Sequence, residues 1–333
     1  MKVAVVGLGY WGPQLVRNLF SLPECKEIVA CDVDEDRVRT VLGRFPGTGG
    51  TTSFAEVLSD PSIDALVIST PVRSHFELAR RSMEAGKSVL VEKPLATSHS
   101  EARQLVDLAT ERGVLVMAGH TFLYSPPVRW LKESIDRGDL GQIVYVQSSR
   151  INLGIHQSDV SVISDLAPHD VSILLDWLDE PVTEVSANGR SSHGVGPADV
   201  AFIDIAFASG CIANLHLSWL APTKLRRMTL VGSRRMAVYE DTNLEEPIKV
   251  YDKGVELPDP EDFGQFKAVY RAGDVVSPRI EAGEPLQAEL QLFLKRVQAG
   301  EVPDEREEIA LRVVAITEAA EFSLENNGKR VTL

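Results

Sequence analysis

The chain has 333 residues, 44% of them apolar and 25% charged. That leaves room for two domains and excludes a disordered, collagenous or fibrous chain. Its 34 Lys and Arg against 48 Asp and Glu give a net charge of −14, the wrong sign for a nucleic-acid partner or an anionic membrane surface. No apolar run approaches the roughly 20 residues that span a bilayer, and no signal-peptide h-region opens the chain. Cys25, Cys31 and Cys211 form neither a metal-ligand spacing nor an even disulfide set, so the thiols read as reduced and the protein as cytoplasmic.

Residues 1–120 alternate short β-branched runs with helical stretches, the rhythm of a parallel sheet with crossover helices. Val3–Val6 reads as a strand and Trp11–Phe20 as a helix. Glu27–Cys31 is a strand, and Asp34–Leu42 is a helix opened by acidic residues that suit its positive end. Gly47 to Thr52 reads as a loop. Asp64–Ser69, Ser88–Val91 and Val114–Ala118 are further strands; Ser74–Ala85 and Ser98–Arg112 are helices stopped by Gly86 and Gly113.

From about residue 140 the rhythm becomes antiparallel. Gln142–Arg150, Val182–Ser191, Val200–Phe207, Cys211–Trp219, Arg227–Val231 and Arg235–Tyr239 are strand-like, with turn signals at Ser209-Gly210 and Gly232-Ser233. One helix, Asp170–Leu178, interrupts them. Residues 242–281, rich in Pro, Asp, Glu and Gly, read as long loops, and Pro285–Val297 and Glu305–Asn326 as closing helices. The fold class is α/β: a Rossmann-type parallel sheet over 1–120, then an α/β domain over 121–333 with a largely antiparallel open sheet.

Gly7-Leu-Gly9-Tyr10-Trp11-Gly12 is the first chemical signal. It follows a strand, opens a helix, and precedes the strand-end Asp32 by twenty positions, which together make the dinucleotide fingerprint. Gly7 permits the tight turn, Gly9 lets backbone approach pyrophosphate, and Gly12 lets helix pack on strand. Asp32 can accept from ribose hydroxyls and would repel a 2′-phosphate, which favours NAD over NADP; Arg37 nearby could offset that charge. Ligands of an open parallel sheet sit beyond the strands' carboxyl ends. There the sequence places Thr70-Pro71, Glu92-Lys93-Pro94 and Gly119-His120-Thr121. Lys93 faces that crevice. If Pro168 begins a helix, His169 and Asp170 lie in its first turn, and a histidine there is a candidate proton shuttle. The remaining histidines show no metal spacing, and no metal is assigned.

In this order and spacing, GLGYWG, Asp32, Thr70-Pro71, Glu92-Lys93-Pro94 and the Asp165/His169 pair resemble the Gfo/Idh/MocA oxidoreductases over essentially the whole chain. The stretches 119–126, 150–154, 166–170 and 219–224 resemble a subgroup associated with UDP-N-acetylglucosaminuronate 3-dehydrogenases. The resemblance implies that Lys93 contacts the reacting hydroxyl and the nicotinamide side, that His169 is the acid/base, and that Asp165 precedes it by one helical turn. It implies that Thr70, Pro71 and His75 line the dinucleotide, that Glu92 neighbours the nicotinamide ribose, and that Lys93–Pro94 is cis. Tyr10 and Trp11 fall within the cofactor set. His120, Tyr124, Arg150, Asn152 and Lys224 fall within the substrate set; Arg150, Lys224 and Arg226 are the candidate cations for an anionic sugar. Two segments depart from the family pattern, Val160 to Ser164 and Phe122-Leu123-Tyr124, both where substrate should bind.

The implied reaction is reversible hydride transfer from a ring carbinol to NAD⁺. His169, or a His169–Lys93 relay, takes the proton, and Lys93 stabilises the alkoxide. The partner is a sugar or nucleotide sugar, with no nucleic acid and no membrane, and the open sheet implies a homodimer or homotetramer. Two other readings stand beside it. One is a glycosidase-type enzyme with internally recycled NAD, which would accumulate no NADH. The other is a non-catalytic NAD-binding sensor, against which the intact Lys93, Asp165 and His169 argue.

Overall fold

The computed structural model describes residues 1–154, 160–256 and 269–333. In chain order the elements are β1 (Lys2–Val6), α1 (Gly12–Ser21), β2 (Glu27–Cys31), α2 (Glu35–Arg44), β3 (Gly49–Thr51), α3 (Phe54–Ser59), β4 (Ala65–Ile68), α4 (His75–Glu84), β5 (Ser88–Glu92), α5 (His99–Arg112) and β6 (Val116–Gly119). There follow α6 (Pro126–Asp136), β7 (Ile143–Ile151), α7 (Val162–Leu178), β8 (Val182–Arg190), β9 (Val200–Phe207), β10 (Ile212–Ser218), β11 (Leu225–Gly232), β12 (Met236–Glu240), β13 (Ile248–Glu256), β14 (Val269–Val276), α8 (Pro285–Gln298), α9 (Glu305–Glu325) and β15 (Val331–Thr332). Short 3-10 turns cover Val72–Ser74 and Thr121–Tyr124.

The chain forms two compact units, one of Met1–Tyr124 with Gly283–Ala315, the other of Ser125–Ala282 with Ile316–Leu333. The first is built on a six-stranded parallel sheet, ordered β3-β2-β1-β4-β5-β6. Alternating residues of its strands feed two cores, as the two-residue period of a strand requires. Val3, Val5, Val67, Leu90 and Met117 pack with Leu15 and Leu19 of α1 and with Leu290 and Phe293 of α8. Ala4, Leu66, Ile68, Val89 and Val91 pack with Met83, Leu105 and, from α9, Leu311 and Val314. Residues 121–333, expected as one continuous piece, therefore return to the first unit through α8 and the start of α9, which carry apolar stripes that this sheet covers.

The second unit holds a nine-stranded sheet, ordered β14-β13-β12-β11-β7-β10-β9-β8-β15. Its pairs are antiparallel except β7 with β10. Those two can lie parallel because α7, β8 and β9 supply the long crossover that a parallel pair needs.

Three expectations are corrected. The 47–52 loop contains β3, an edge strand on β2 that its Gly/Thr composition hides. The 242–281 segment holds β13 and β14, which pair antiparallel at the sheet edge; 257–268 lie outside the described residues. Pro168 does not begin its helix but sits inside α7, which starts at Val162 and is capped by the Ser161 hydroxyl on the N–H groups of Ile163 and Ser164. Among the described residues no helix is long and apolar enough to cross a membrane.

Candidate active site

The glycine turn of the first unit is built as its residues require. Gly7 has φ +94, where L side chains are strained, and a Cβ there would stand 2.7 Å from the Ser69 carbonyl carbon. A Cβ on Gly12 would meet the Gly7 oxygen at 2.2 Å. Gly9 is different: the atom nearest a Cβ there is Arg37 Nη1 at 4.0 Å. Protein packing does not explain that glycine, whereas close approach of a ligand does. Helix α1 begins beside it with no side-chain cap and no acidic residue in its first turn, so its N–H groups and positive dipole end suit a pyrophosphate. Tyr10 and Trp11 flank the turn, both exposed, with rings edge-to-face at 5.5 Å.

Asp32 is buried at the end of β2, where its Oδ2 accepts from Leu8 N at 2.6 Å and its Oδ1 from Asp34 N at 2.9 Å. These bonds fix the carboxylate against the glycine turn. Arg37 Nη1 lies 3.7 Å from Asp32 Oδ2, with the arginine largely in solvent. At the end of β4, Ser74 Oγ donates to Thr70 Oγ1 at 2.8 Å. His75, buried at the start of α4, brings Nε2 to 2.8 Å from the Thr70 carbonyl and Nδ1 to 2.9 Å from the Pro94 carbonyl. Histidine 75 thus ties the Thr70-Pro71 turn to the segment after Lys93.

Lys93 follows β5 and precedes a cis bond to Pro94, as the resemblance implies. Burial raises Glu92 to about 7 against the pull of Lys93. His120, after β6, is driven down to about 4 by burial and by Lys93. Tyr124 packs on the α8 side of the first core. One residue of this rim escapes sequence reasoning: Glu289 of α8, wholly buried, whose Oε2 accepts from Thr121 Oγ1 at 2.7 Å. Its signal was an acid inside the apolar stripe Leu286, Leu290, Phe293.

In the second unit, Asp165 lies in the first turn of α7 and His169 one turn later, so the two share a helix face. Trp219 Nε1 donates to Asp165 Oδ2 at 3.2 Å. Asp170, next to His169, is 1% exposed and pairs with Arg150, itself 5% exposed. Both Arg150 Nε (2.8 Å) and Nη2 (2.6 Å) donate to Asp170 Oδ1, and Ser148 Oγ donates to Oδ2 at 2.9 Å. The expected substrate cation is therefore engaged in an internal ion pair. Arg226 pairs with Asp241 at 3.0 Å, while Lys224 is exposed. Asn152, half-buried, bonds through its backbone to Ser218 and Ala221. Among the described residues no group of three or more His, Cys, Asp or Glu could hold a metal ion.

Residues 1–120 match the model of an oxidoreductase family with an NAD-binding Rossmann fold, and residues 128–238 match the GFO/IDH/MocA C-terminal domain. The chain is 29% identical over 233 residues to a scyllo-inositol 2-dehydrogenase (NAD(+)) of Bacillus subtilis, spanning 67% of this chain and 68% of that protein. Its fold superposes on GenD2 from gentamicin A biosynthesis, solved in complex with NAD, with TM-score 0.82, 25% identity, and 100% and 96% of the two chains covered. The UDP-N-acetylglucosamine 3-dehydrogenase GnnA of Acidithiobacillus ferrooxidans shares the fold at TM-score 0.79 and 24% identity, covering 98% of each chain.

Proposed function

Because the chain belongs to the Gfo/Idh/MocA oxidoreductase family, we propose that it is a dehydrogenase that oxidises a ring carbinol of a sugar or nucleotide sugar with NAD, and reduces the ketone in reverse. The observation that carries this reading is the rim of the first sheet: an uncapped helix N-terminus, an open Gly9, a fixed Asp32 and Lys93 at a neighbouring strand end. Bound NAD⁺ supplies the hydride acceptor. The 7–12 turn holds its phosphates, Asp32 accepts from the adenine ribose, and Thr70, Pro71, His75 and Glu92 line the remainder. Lys93 stabilises charge developing on the substrate oxygen. His169 takes the hydroxyl proton, and Asp165, held by Trp219, orients it. Association into a dimer or tetramer through the second sheet belongs to the same proposal.

Cofactor preference follows from Asp32. NAD(H) should bind about tenfold or more tighter than NADP(H), a difference of about 1.4 kcal/mol or more, measured by calorimetric titration. Arg37→Ala should widen that preference, because the guanidinium beside Asp32 is the nearby cation that could meet a 2′-phosphate. Equal binding of the two cofactors in the unaltered protein would remove Asp32 from the ribose.

For the substrate, the 119–126, 150–154 and 219–224 stretches favour a UDP-N-acetylglucosaminuronate-type sugar. A second reading, a cyclitol, is favoured by the inositol-dehydrogenase relative and by the engagement of Arg150 with Asp170, which leaves Lys224 as the exposed cation for an anionic substrate. Incubation with NAD⁺ and a panel of UDP-sugars, free sugars and inositols tests both, following NADH absorbance and product mass. NADH should accumulate with one class. Cleavage of a glycoside without NADH would instead indicate recycled cofactor, and NAD binding without any turnover would indicate a sensor.

A further inference from the structure

Glu289 stands among Leu286, Leu290 and Phe293 on the buried face of α8. A carboxylate there costs several kcal/mol if ionised and unpaired, so packing alone would favour another leucine. Its Oε2 accepts from Thr121, and its Oε1 has no hydrogen-bond partner. Thr121 follows β6, whose last residue, Gly119, lies in register with Glu92. Glu92 Oε2 is 3.4 Å from where a Cβ on Gly119 would stand, so the carboxyl lies close over the end of β6. His120, between Gly119 and Thr121, is 5% exposed, and neither ring nitrogen is hydrogen-bonded. Two carboxyls, a histidine and Lys93 thus gather at the ends of β5 and β6. In a doubly wound sheet that half, beyond the switch point between β1 and β4, receives the second nucleotide.

We propose that Glu92, backed by Glu289, is a proton-binding site coupled to the charge of the nicotinamide: the oxidised cofactor drives a proton off it, and the reduced cofactor lets one return. This rests on the NAD reading above and adds to it a place for the proton.

The cause is Coulombic. The oxidised nicotinamide ring is a cation and the reduced ring is neutral. Glu92 is already raised to about 7 by burial, against the opposing pull of Lys93, so at neutral pH it is divided between its two forms. An added cation nearby favours the carboxylate. The other groups facing it leave Glu92 as the one that responds. Glu289 is raised well above its ordinary value by burial and by the Glu92 charge, which favours its neutral form. His120 is held neutral by burial and Lys93. His75, across the rim on α4, is lowered by burial and stays neutral as well. In turnover the balance closes: His169 keeps its role as acceptor of the substrate hydroxyl proton, NAD⁺ when bound would take the hydride and lose its positive charge, and the Glu92 carboxylate, then the stronger base, would take back from solvent the proton it released on NAD⁺ binding.

Calorimetric titration of NAD⁺ and NADH at pH 7, in two buffers of different ionisation enthalpy, counts the protons exchanged on binding. NAD⁺ should release a fraction of a proton, up to about one half for a group titrating near pH 7, and NADH none. The release should be greatest below pH 7, midway between the free and the NAD⁺-bound midpoints, and vanish in Glu92→Gln. Glu289→Leu should move its midpoint upward by removing polar backing, and the isosteric Glu289→Gln should restore it. If Glu92→Gln fails to fold, the wild-type contrast between the two cofactors and its pH midpoint still decide. Tight NAD⁺ binding with no proton release, or release unchanged in Glu92→Gln, would overturn the proton site alone. Absence of NAD⁺ binding would overturn the cofactor reading and this site with it.

Discussion

Lys93→Ala should fold, bind NAD(H) and lose about 10²–10³ in kcat, the usual cost of removing one preorganised group aimed at developing charge. The lysine follows β5 at the rim and lies outside both apolar cores, so its truncation opens no cavity. Lys93→Arg should recover little, since a planar fork does not replace a compact ammonium. His169→Ala should also be costly, about 10²–10⁴-fold for a general base, but with a different signature. Its loss should ease at high pH, where the substrate hydroxyl is more readily deprotonated, whereas the loss of the Lys93 charge should not. Steady-state kinetics against pH, with a thermal melt and an NADH titration for each variant, separate the two. A near-normal kcat in Lys93→Ala would withdraw the catalytic role, and an unfolded variant would make the lysine structural.

The parallel half of this protein was legible because its signals are local. Glycines at fixed offsets, strands that are apolar on both faces, and an acid at a strand end are all read within one βαβ unit. What was missed depends on distant partners. Strand β3 has no strand composition and exists because β2 offers an edge. Helix α6, for which no element was expected, begins at Pro126-Pro127, where proline suits a first helical turn. The α7 boundary was displaced by the same ambiguity at Pro168. Inside a helix proline removes one hydrogen bond, which here is tolerated, and the shift puts Asp165 and His169 one turn apart on one face. The pairing of these two was carried by resemblance; the sequence pattern alone had placed His169 with Asp170. Glu289 became interpretable only when α8 was seen to belong to the first unit, 165 residues beyond Tyr124 in number but packed on the same sheet. Local spacing cannot supply that contact.

Arg150 is the residue on which sequence and structure diverge most, and its replacement decides between them. An arginine after a strand, in an acidic protein with an anionic substrate in view, reads as a substrate cation. In the structure its guanidinium donates twice to Asp170, and both residues are almost wholly buried. Removing one member of such a pair strands the other charge away from water and costs about 3–5 kcal/mol. Arg150→Ala should therefore destabilise the second unit by that order, read as a lowered denaturant midpoint, since the Ser148 bond that remains on Asp170 does not replace the lost cation. Asp170→Ala should do the same. The double replacement Arg150→Met with Asp170→Leu should be far less destabilising than either single change, because no unpaired charge is left behind. Asp170 adjoins His169 on α7, so a single variant that folds should also lose kcat while keeping its NAD⁺ affinity. The competing role predicts the opposite pattern. If Arg150 holds a substrate carboxylate or phosphate, Arg150→Ala should leave stability almost unchanged and raise KM for an anionic nucleotide sugar, while the KM for an uncharged ring stays constant.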